Sequence, residues 1–586
     1  MHIPDGYLSP ATCATLYTGV VPFWWGALRR VRRGLHTQMV PLLSVFAAFS
    51  FIIMMFNLPL PGGTTGHAVG VGIAAIVLGP WASILAISVA LMIQAIFFGD
   101  GGITAIGANC FNMGVIGSLV AYTTYELISR DAPVESPRRV WAAGLAGYLA
   151  INFSALAAAI ELGIQPQLYR DATGAALYAP YPLSIAIPAM MAGHLTVAGI
   201  AETVVSAGVV AYLQKSQPSL LRGAAGGATT KPLWLVLMIL AILTPFGVLA
   251  MGSAWGEWSA GDFLHPETRR QIAAASGGNE LPAQVPAGLQ RLARLWTAPL
   301  RYSSQVPAAI VGMVLIIGAC WCIVLLARRI RVRRNMSFVE RTLTSLMRAS
   351  EYAASAEHVT ESRGLFQKID PRVKVAGLLL LIVAVAAARE LRVIGGIFLF
   401  ALAMALLSGI SLRKLAAWVW MPVLLFTGLI AAPAILVTGP RSAAFLVGRA
   451  ETAATLVGLL VLTTPWAWVL KSLRSLRCPA VFVAILGMTY RYIFEIMRTA
   501  LDMLEARRSR TVGTLTPLES RRLAASTVGV LLNKSFQLSG DVHLAMQSRG
   551  FRGEIHVLSE FRARTVDWCW LGLFVALAGG ALWWGS

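Results

Sequence analysis

Charged side chains are scarce in this sequence, at 13% of 586 residues, whereas hydrophobic residues make up 57%. Soluble globular domains carry about 25% charged residues, so this composition excludes an ordinary water-soluble protein. Apolar runs of about 18 residues or more recur along the chain, and that length crosses the ~30 Å hydrocarbon core of a bilayer as a helix. The composition therefore predicts an all-α polytopic membrane protein with two transmembrane helical modules.

Several signatures of other chemistries are missing. The sequence contains no GxxxxGK[ST], so we expect no ATP site in this chain. Its six cysteines form no CxxC pair typical of zinc sites, which predicts buried free thiols. The net charge of +21 comes from short Arg and Lys clusters beside apolar runs. This pattern is typical of membrane topology and contact with membrane lipid, and we expect no nucleic-acid partner.

The position of the basic clusters predicts the orientation of the chain. A first apolar stretch at residues 9–25 is followed by RRVRRG and is preceded by no basic residue. Positive charge after a span predicts an extracytoplasmic N-terminus. A signal peptide has the opposite order, so we expect no cleavage. The bulky His2 is also expected to protect Met1 from removal.

Apolar runs and composition shifts predict the domain organisation. The segments are a membrane module (1–215), a two-span module with an exterior loop (216–327), a cytoplasmic linker (328–372) and a second membrane module (373–586). The second module includes basic amphipathic helices at about 466–560, suited to the inner membrane surface or to a partner. A half-length helix is expected at 68–79, and full spans are expected at 39–58, 80–98, 109–127, 140–161, 183–213, 233–252, 306–327, 374–388, 391–409, 415–437, 443–463 and 567–585.

The opening residues MHIPDGYLSP carry the clearest chemical pattern. The α-amine of Met1, the amide nitrogen of His2 and the Nδ1 atom of His2 can close fused chelate rings around one metal. Such planar nitrogen sets suit Ni(II) and Cu(II). His67, in GGTTGHAVG, lies on the same predicted outer face and supplies a fourth nitrogen. The alternative is an accidental His2 and an ordinary loop histidine, but two histidines on one face favour a metal site.

MHIPDGYLSP, GGTTGHAVG and FFGDGGITAIGANCFNMG resemble the substrate-capture subunit of bacterial cobalt/nickel energy-coupling-factor importers over about residues 1–215. The resemblance implies that Met1, His2 and His67 bind Co2+ or Ni2+ as the transported substrate. The Pro-Asp-Gly turn would then fold the N-terminus into its pocket. Supporting polar contacts to the ligands are expected from four residues, with helix packing as the alternative for the three amides: Asp5, Gln94, Asn109 and Asn112. His194 and Glu202 are interpreted as a structural pair.

Two arginine-bearing helix ends lie in the predicted cytoplasmic region, ARRSRT and MQSRGFRG. Arginine offers a rigid fork of donors to carboxylates or helix-terminal carbonyls of a partner, whereas a single basic cluster would favour contact with lipid. The two segments resemble the paired Ala-Arg-Gly motifs of the coupling subunit of the same importers. Thr511 and Ser548 depart from the usual residues. The resemblance implies docking of two ATP-binding cassette ATPase subunits onto Arg507, Arg510, Arg549 and Arg552.

Two further segments extend the resemblance. GLFQKIDPRVKVAGLLLLI resembles the start of the coupling subunit, which the chain matches over about 345–586. LTPFGVLAMGSAWGEW resembles the small accessory subunit, whose chemistry its residues do not reveal; Glu257 is its one exterior carboxylate. Together these segments predict a fused membrane permease of an ATP-driven metal importer, with ATP hydrolysis in separate subunits. Cobalt and nickel stay open, and with them a link to cobalamin biosynthesis or to nickel enzymes.

Two other classes of function were weighed. A gradient-driven secondary metal transporter or channel needs ionisable residues within its spans. The predicted spans hold few: Glu161, Glu202, Arg449 and Glu451, of which the last two are interpreted as a structural pair. A membrane enzyme needs an open metal position beside a base, and a planar four-nitrogen set leaves little room for one.

Overall fold

The computed structural model describes residues 1–33, 39–56, 58–60, 64–171, 173–222, 364–437, 439–510, 517–550 and 564–585. The predictions for the accessory segment, most of the linker, Glu257 and Arg552 lie outside these residues. Within them the chain is helical apart from one short hairpin, in which strands Leu58–Leu60 and Thr64–Gly66 pair antiparallel. The all-α prediction is confirmed.

The first half of the chain, up to residue 222, contains both long helices and short segments that interrupt them. A π-helical turn at Gln94–Phe98 extends the helix before it, and π-helical turns at Cys110–Ile116 and His194–Ala198 each join two neighbouring helices. The α-helices are Pro10–Arg33, Met39–Met54, Val71–Leu78, Pro80–Ile93, Ile106–Asn109, Gly117–Ser129, Pro137–Gly163, Gln165–Leu168, Leu183–Gly193, Gly199–Ser216 and Pro218–Arg222.

The second half, from residue 364, begins with a 3₁₀ turn at Phe366–Lys368. A π-helical turn at Ala416–Trp420 joins two of its helices. The α-helices are Pro371–Ala387, Leu391–Leu407, Leu412–Leu415, Met421–Val437, Pro440–Thr463, Trp466–Ser475, Ala480–Arg510, Pro517–Ser548 and Thr565–Gly585. Asp370 accepts a hydrogen bond from the backbone N–H of Arg372 at 2.8 Å and so caps the first of them.

Six helices among the described residues are long and apolar enough to cross a membrane, and the chain is a multi-pass membrane protein. These helices are Pro80–Phe98, Pro137–Leu168, Leu183–Ser216, Pro440–Thr463, Ala480–Ala506 and Thr565–Trp584. The four described cysteines are free; Cys13 and Cys110 are buried as predicted, Cys478 is partly buried, and Cys569 is exposed.

The predicted half-length helix is present as Val71–Leu78. Eight residues rise about 12 Å, which is well under half the thickness of the bilayer core. The helix therefore begins inside the protein, where its first N–H groups need acceptors. Glu202 is fully buried and accepts hydrogen bonds from the N–H groups of Val69 at 2.7 Å, Gly70 at 2.9 Å and Gly72 at 3.1 Å. A carboxylate from a distant helix therefore fixes the segment that follows His67.

The described bonds of His194 and Glu202 go to different partners. Nδ1 of His194 lies 2.8 Å from the carbonyl oxygen of Met190, while Glu202 bonds the backbone around Gly70. Both side chains are buried and make structural hydrogen bonds. These bonds go to the backbone and not to each other, so the structure does not support the predicted pair.

The long helices near the C-terminus pack directly on the first half of the chain. The Ser44 hydroxyl lies 3.3 Å from the carbonyl oxygen of Ile485, and the rings of Phe46 and Phe536 have their centroids 5.8 Å apart. Gln217 donates to Asn533 at 3.2 Å. The two halves are thus joined along the helices that contain most of the predicted 466–560 region.

Replacing Glu202 with glutamine tests this cap. The carboxamide keeps the volume but turns an NH2 group toward backbone donors, so we expect a loss of about 1–3 kcal/mol from an unsatisfied buried group. The readout is the thermal unfolding temperature of the purified full-length chain. Glu135→Gln, at an exposed position of the same half, is the matched control. Equal unfolding temperatures for the two variants would contradict the capping role.

Candidate metal centre

The N-terminus lies inside the protein. Met1, His2 and His67 are only 1%, 4% and 2% exposed. The rings of His2 and His67 face each other with their centroids 4.6 Å apart and their planes tilted by 53°. The structure therefore brings together the three residues that the sequence predicted as metal ligands.

Asn109 and Gly102 hold the extended N-terminal segment in place. The N–H of Ile3 donates to Oδ1 of Asn109 at 2.9 Å, and Nδ2 of Asn109 donates back to the Ile3 carbonyl at 3.1 Å. The N–H of Gly102 donates to the same carbonyl at 2.8 Å. Asn109 thus holds the N-terminal segment directly, as expected of a residue that supports the predicted metal ligands.

Asp5 fixes the turn that follows. Its carboxylate accepts from the N–H of Ile103 at 3.0 Å and from the N–H of Thr104 at 2.8 Å, and the Thr104 hydroxyl also donates to it. Burial raises the pKa of Asp5, while the bonds from Thr104 and Ile103 oppose that rise. Gly6 completes the turn with φ +82°, a conformation that favours glycine.

The other two predicted supporting residues bond elsewhere. Asn112 donates to Glu161 at 2.8 Å. Gln94 is fully buried, and its Nε2 lies 3.7 Å from the sulfur of Met55. Their described hydrogen bonds are contacts between helices, which is the alternative that the sequence left open for these amides.

Asp100 belongs to the site although sequence reasoning did not select it. Its Oδ1 lies 2.8 Å from Nδ1 of His2. Burial raises the pKa of Asp100, but His2, His67 and the α-amine of Met1 outweigh burial and hold that pKa well below its usual value. The signal was present in the glycine-rich FFGDGGITAIGAN segment, where only the amides drew attention.

Burial keeps two nitrogen donors of this centre, the Met1 amine and the His67 ring, uncharged near neutral pH. Burial lowers the pKa of the Met1 amine to about 5, although the charge of Asp100 opposes the shift. Burial, followed by the neighbouring His2 and the amine, also lowers the pKa of His67. Nδ1 of His67 lies 3.1 Å from the carbonyl oxygen of Ala68, and its Nε2 has no hydrogen-bond partner. A carbonyl oxygen can only accept, so Nδ1 of His67 donates to it and Nε2 of His67 offers a lone pair in a dry interior.

Within the described ranges, no group of three or more His, Cys, Asp and Glu side chains has the arrangement of a metal site.

The described docking arginines lie at the C-terminal ends of the two long helices. Arg510 is the last residue of Ala480–Arg510, and Arg549 directly follows Pro517–Ser548; both side chains are exposed. Arg507 lies in the last turn of the first of these helices.

Two family profiles match this chain. Residues 2–220 match the cobalt uptake substrate-specific transmembrane region, and residues 363–558 match the cobalt transport protein family. The fused nickel transport protein NikMN of Rhodobacter capsulatus is 57% identical over 303 residues, which are 51% of this chain and 87% of that protein. This chain belongs to the family of cobalt and nickel transport proteins.

Other members of the cobalt and nickel transport family are also similar. The probable fused nickel transport protein LarMN of Lactiplantibacillus plantarum is 47% identical over 262 residues, which cover 44% of this chain and 78% of that one. A crystal structure of a transition metal transporter has 50% sequence identity, covers 37% of this chain and 93% of its own, and superimposes with a TM-score of 0.35. The transporters of this family are permeases.

Gly102→Ala tests the fit of the N-terminal segment. A Cβ at this position would lie 2.3 Å from the backbone nitrogen of Asp5, so the segment must shift, and overpacking of this kind costs about 1–3 kcal/mol. We expect a lower unfolding temperature for the full-length chain. Gly208→Ala, which adds a Cβ with no neighbour within 4 Å, is the control. Identical unfolding of the two variants would refute this tight contact.

Proposed function

We propose that this chain is the membrane permease of an ATP-driven importer that captures Co2+ or Ni2+ at the outer face of the bacterial inner membrane. The observation that carries the proposal is the convergence of the Met1 amine, His2 and His67 in one buried cluster. The ion is the transported substrate. The names of the related nickel and cobalt transport proteins support this cargo.

The proposed ligands are four nitrogen atoms: the α-amine of Met1, the amide nitrogen and Nδ1 of His2, and Nε2 of His67. The first three close fused chelate rings, and the free Nε2 of His67 completes the set. Strong nitrogen donors in one plane favour Ni(II) and Cu(II), and the general affinity order places nickel above cobalt at a common site. The negative charge of Asp100, beside Nδ1 of His2, compensates part of the charge of the ion.

Transport requires that this centre open toward the cytoplasm. We propose that two separate ATP-binding cassette subunits grip the exposed ends of the long helices at Arg510 and Arg549, with Arg507 and Arg552 beside them. The same helices pack on the first half through the contacts of Ser44 and Phe46. Movement of the ATPases would thus be transmitted to the metal-capture module at residues 1–215. We further propose that the accessory segment at 216–327 is a third module. In this arrangement the N-terminus lies outside the cytoplasm.

A gradient-driven transporter is the competing function. Such a protein needs exchangeable ionisable groups along a path through its spans. Glu161 accepts from Asn112, and Glu202 accepts from three backbone N–H groups. Both carboxylates are therefore engaged in structural hydrogen bonds. Because such groups are poorly placed to exchange ions, this favours the ATP-driven importer over the gradient-driven transporter.

Replacing His2 with phenylalanine tests the metal site. Phenylalanine keeps a bulky ring after Met1 but removes Nδ1 and the chelate ring that it closes, so we expect Ni(II) affinity to fall at least about 100-fold, or roughly 2.7 kcal/mol. The full-length chain, tagged at its C-terminus, is titrated with Ni(II) while its visible absorption is recorded. A planar-type nickel band should appear only with the native N-terminus. Unchanged affinity and spectrum would rule out His2 as a ligand.

Charge reversal at the helix ends tests the ATPase contact. In Arg510→Glu combined with Arg549→Glu, the new carboxylates repel the acceptors that the arginines are proposed to bind. Co-purification of the ATPases and ATP-dependent metal uptake should both be lost, while Ni(II) binding stays. Arg498→Glu, exposed on the same long helix, is the control. Retained ATPases in the double variant would overturn the proposed docking role.

A further inference from the structure

Arg449 of the second half is the largest fully buried side chain among the described residues, at 0% exposure in the membrane-spanning helix Pro440–Thr463. A charged residue at such a position is costly unless it has partners, and its partners indicate its role. The sequence interpretation paired it with Glu451. The described partners of Arg449 are instead backbone carbonyls and aromatic rings.

The guanidinium of Arg449 bridges the two halves of the chain. Its Nη1 donates to the carbonyl of Leu177 in the first half. Its Nη2 donates to the carbonyl of Ala388 in the second half at 2.6 Å. The ring of Tyr178 lies under the guanidinium at 4.3 Å, a cation–π distance. One side chain thus joins a loop of the first half to a helix end of the second.

The alkyl part of Arg449 packs on the turn behind the metal centre. A Cβ placed on Gly6 would lie 2.6 Å from Cβ of Arg449 and 3.2 Å from its Cδ. The N–H of Ala179 donates to the carbonyl of Tyr7 at 3.0 Å, so the loop that Arg449 holds is itself bonded to the N-terminal segment. Arg449 therefore supports that segment twice, by direct packing on Gly6 and through residues 177–179.

The second half also reaches the centre itself. A cavity of about 50 Å³ is lined by His2 and Tyr7 from the first half and by Phe426 and Ile430 from the second. The hydroxyl of Tyr181 donates to the carbonyl of Ile430 at 2.9 Å and closes one side of this contact. The metal centre and the interface between the halves are thus contiguous.

We propose that Arg449 is a positioning residue through which the second half holds the N-terminal turn in its metal-binding arrangement. Metal binding and docking of the two halves at this contact are then coupled, and by reciprocity a bound ion tightens the docking. Without Arg449 the N-terminal segment populates other arrangements, and the apparent metal affinity falls with the fraction that remains competent. This inference rests on the proposed metal site.

The test compares Arg449→Met and Arg449→Lys with the unmodified full-length chain in Ni(II) titrations followed by visible absorption. Methionine keeps an unbranched chain but removes every donor, so we expect Ni(II) affinity to fall about 5- to 150-fold, the usual range for coupled sites. Lysine keeps the alkyl packing on Gly6 and one cationic group, but a single ammonium lacks the rigid fork that reaches two carbonyls. We expect it to restore part of the affinity lost with methionine.

Arg441→Met is the matched control. Arg441 lies on the same helix and also bridges the halves, through Nε at 3.1 Å from Asp171, but its described contact does not involve the N-terminal turn. If any loss of contact between the halves weakened metal binding, Arg441→Met would also lower Ni(II) affinity. The proposal requires that only the variants at Arg449 change the affinity.

The outcomes separate the inference from the proposed function. A purely structural Arg449 would lower the unfolding temperature of the metal-free chain and leave Ni(II) affinity unchanged below that temperature, which would overturn the inference. If Arg449→Met does not fold, the same titration of Arg449→Lys tests the inference. Native Ni(II) affinity in Arg449→Lys would also overturn the inference. Failure of the proposed function would appear elsewhere, as Ni(II) binding that is unchanged in the variant His2→Phe.

Discussion

The structure depends on one constraint: inside a membrane protein, every buried backbone N–H and C=O must find a partner in the chain itself. A non-helical N-terminal segment is tolerated there because Asn109 and Gly102 satisfy both polar groups of Ile3. Asp5 does the converse and satisfies the backbone of the neighbouring loop. The short helix after His67 survives by the same principle, since Glu202 supplies the acceptors that its first turn lacks.

This constraint also shapes the electrostatics of the candidate site. Burial keeps the α-amine of Met1 and the ring of His67 uncharged, so neither of these two nitrogens carries an extra proton near neutral pH. Asp100 is the one carboxylate that touches His2 in the described structure. Two uncharged nitrogen donors beside a single anion avoid the large desolvation cost of several buried charges.

Much of this was readable from the sequence, for physical reasons. Long apolar runs specify spanning helices because bilayer thickness fixes their length, and His2 and His67 follow from donor chemistry and charge topology. Partners far apart in sequence were not readable: Asp100 sits about a hundred positions from His2, and no periodicity connects them. Arg449 and Glu451, near the start of one span, were interpreted as a pair, yet residues two apart on a helix point in different directions. The described partners of Arg449 are backbone carbonyls, which every residue type has, and the rings of Tyr178 and Phe445.

The close contact at Gly102 has a consequence for how the surroundings of the N-terminal segment can vary. Where a Cβ would strike the backbone of residues 4 and 5, the segment packs against main chain, whose dimensions are the same in every protein. Substitution cannot change the spacing of such a contact by small steps. Variation in shape is therefore left to side chains at the periphery, such as Tyr7, Met190 and Phe426, which line the adjoining cavity.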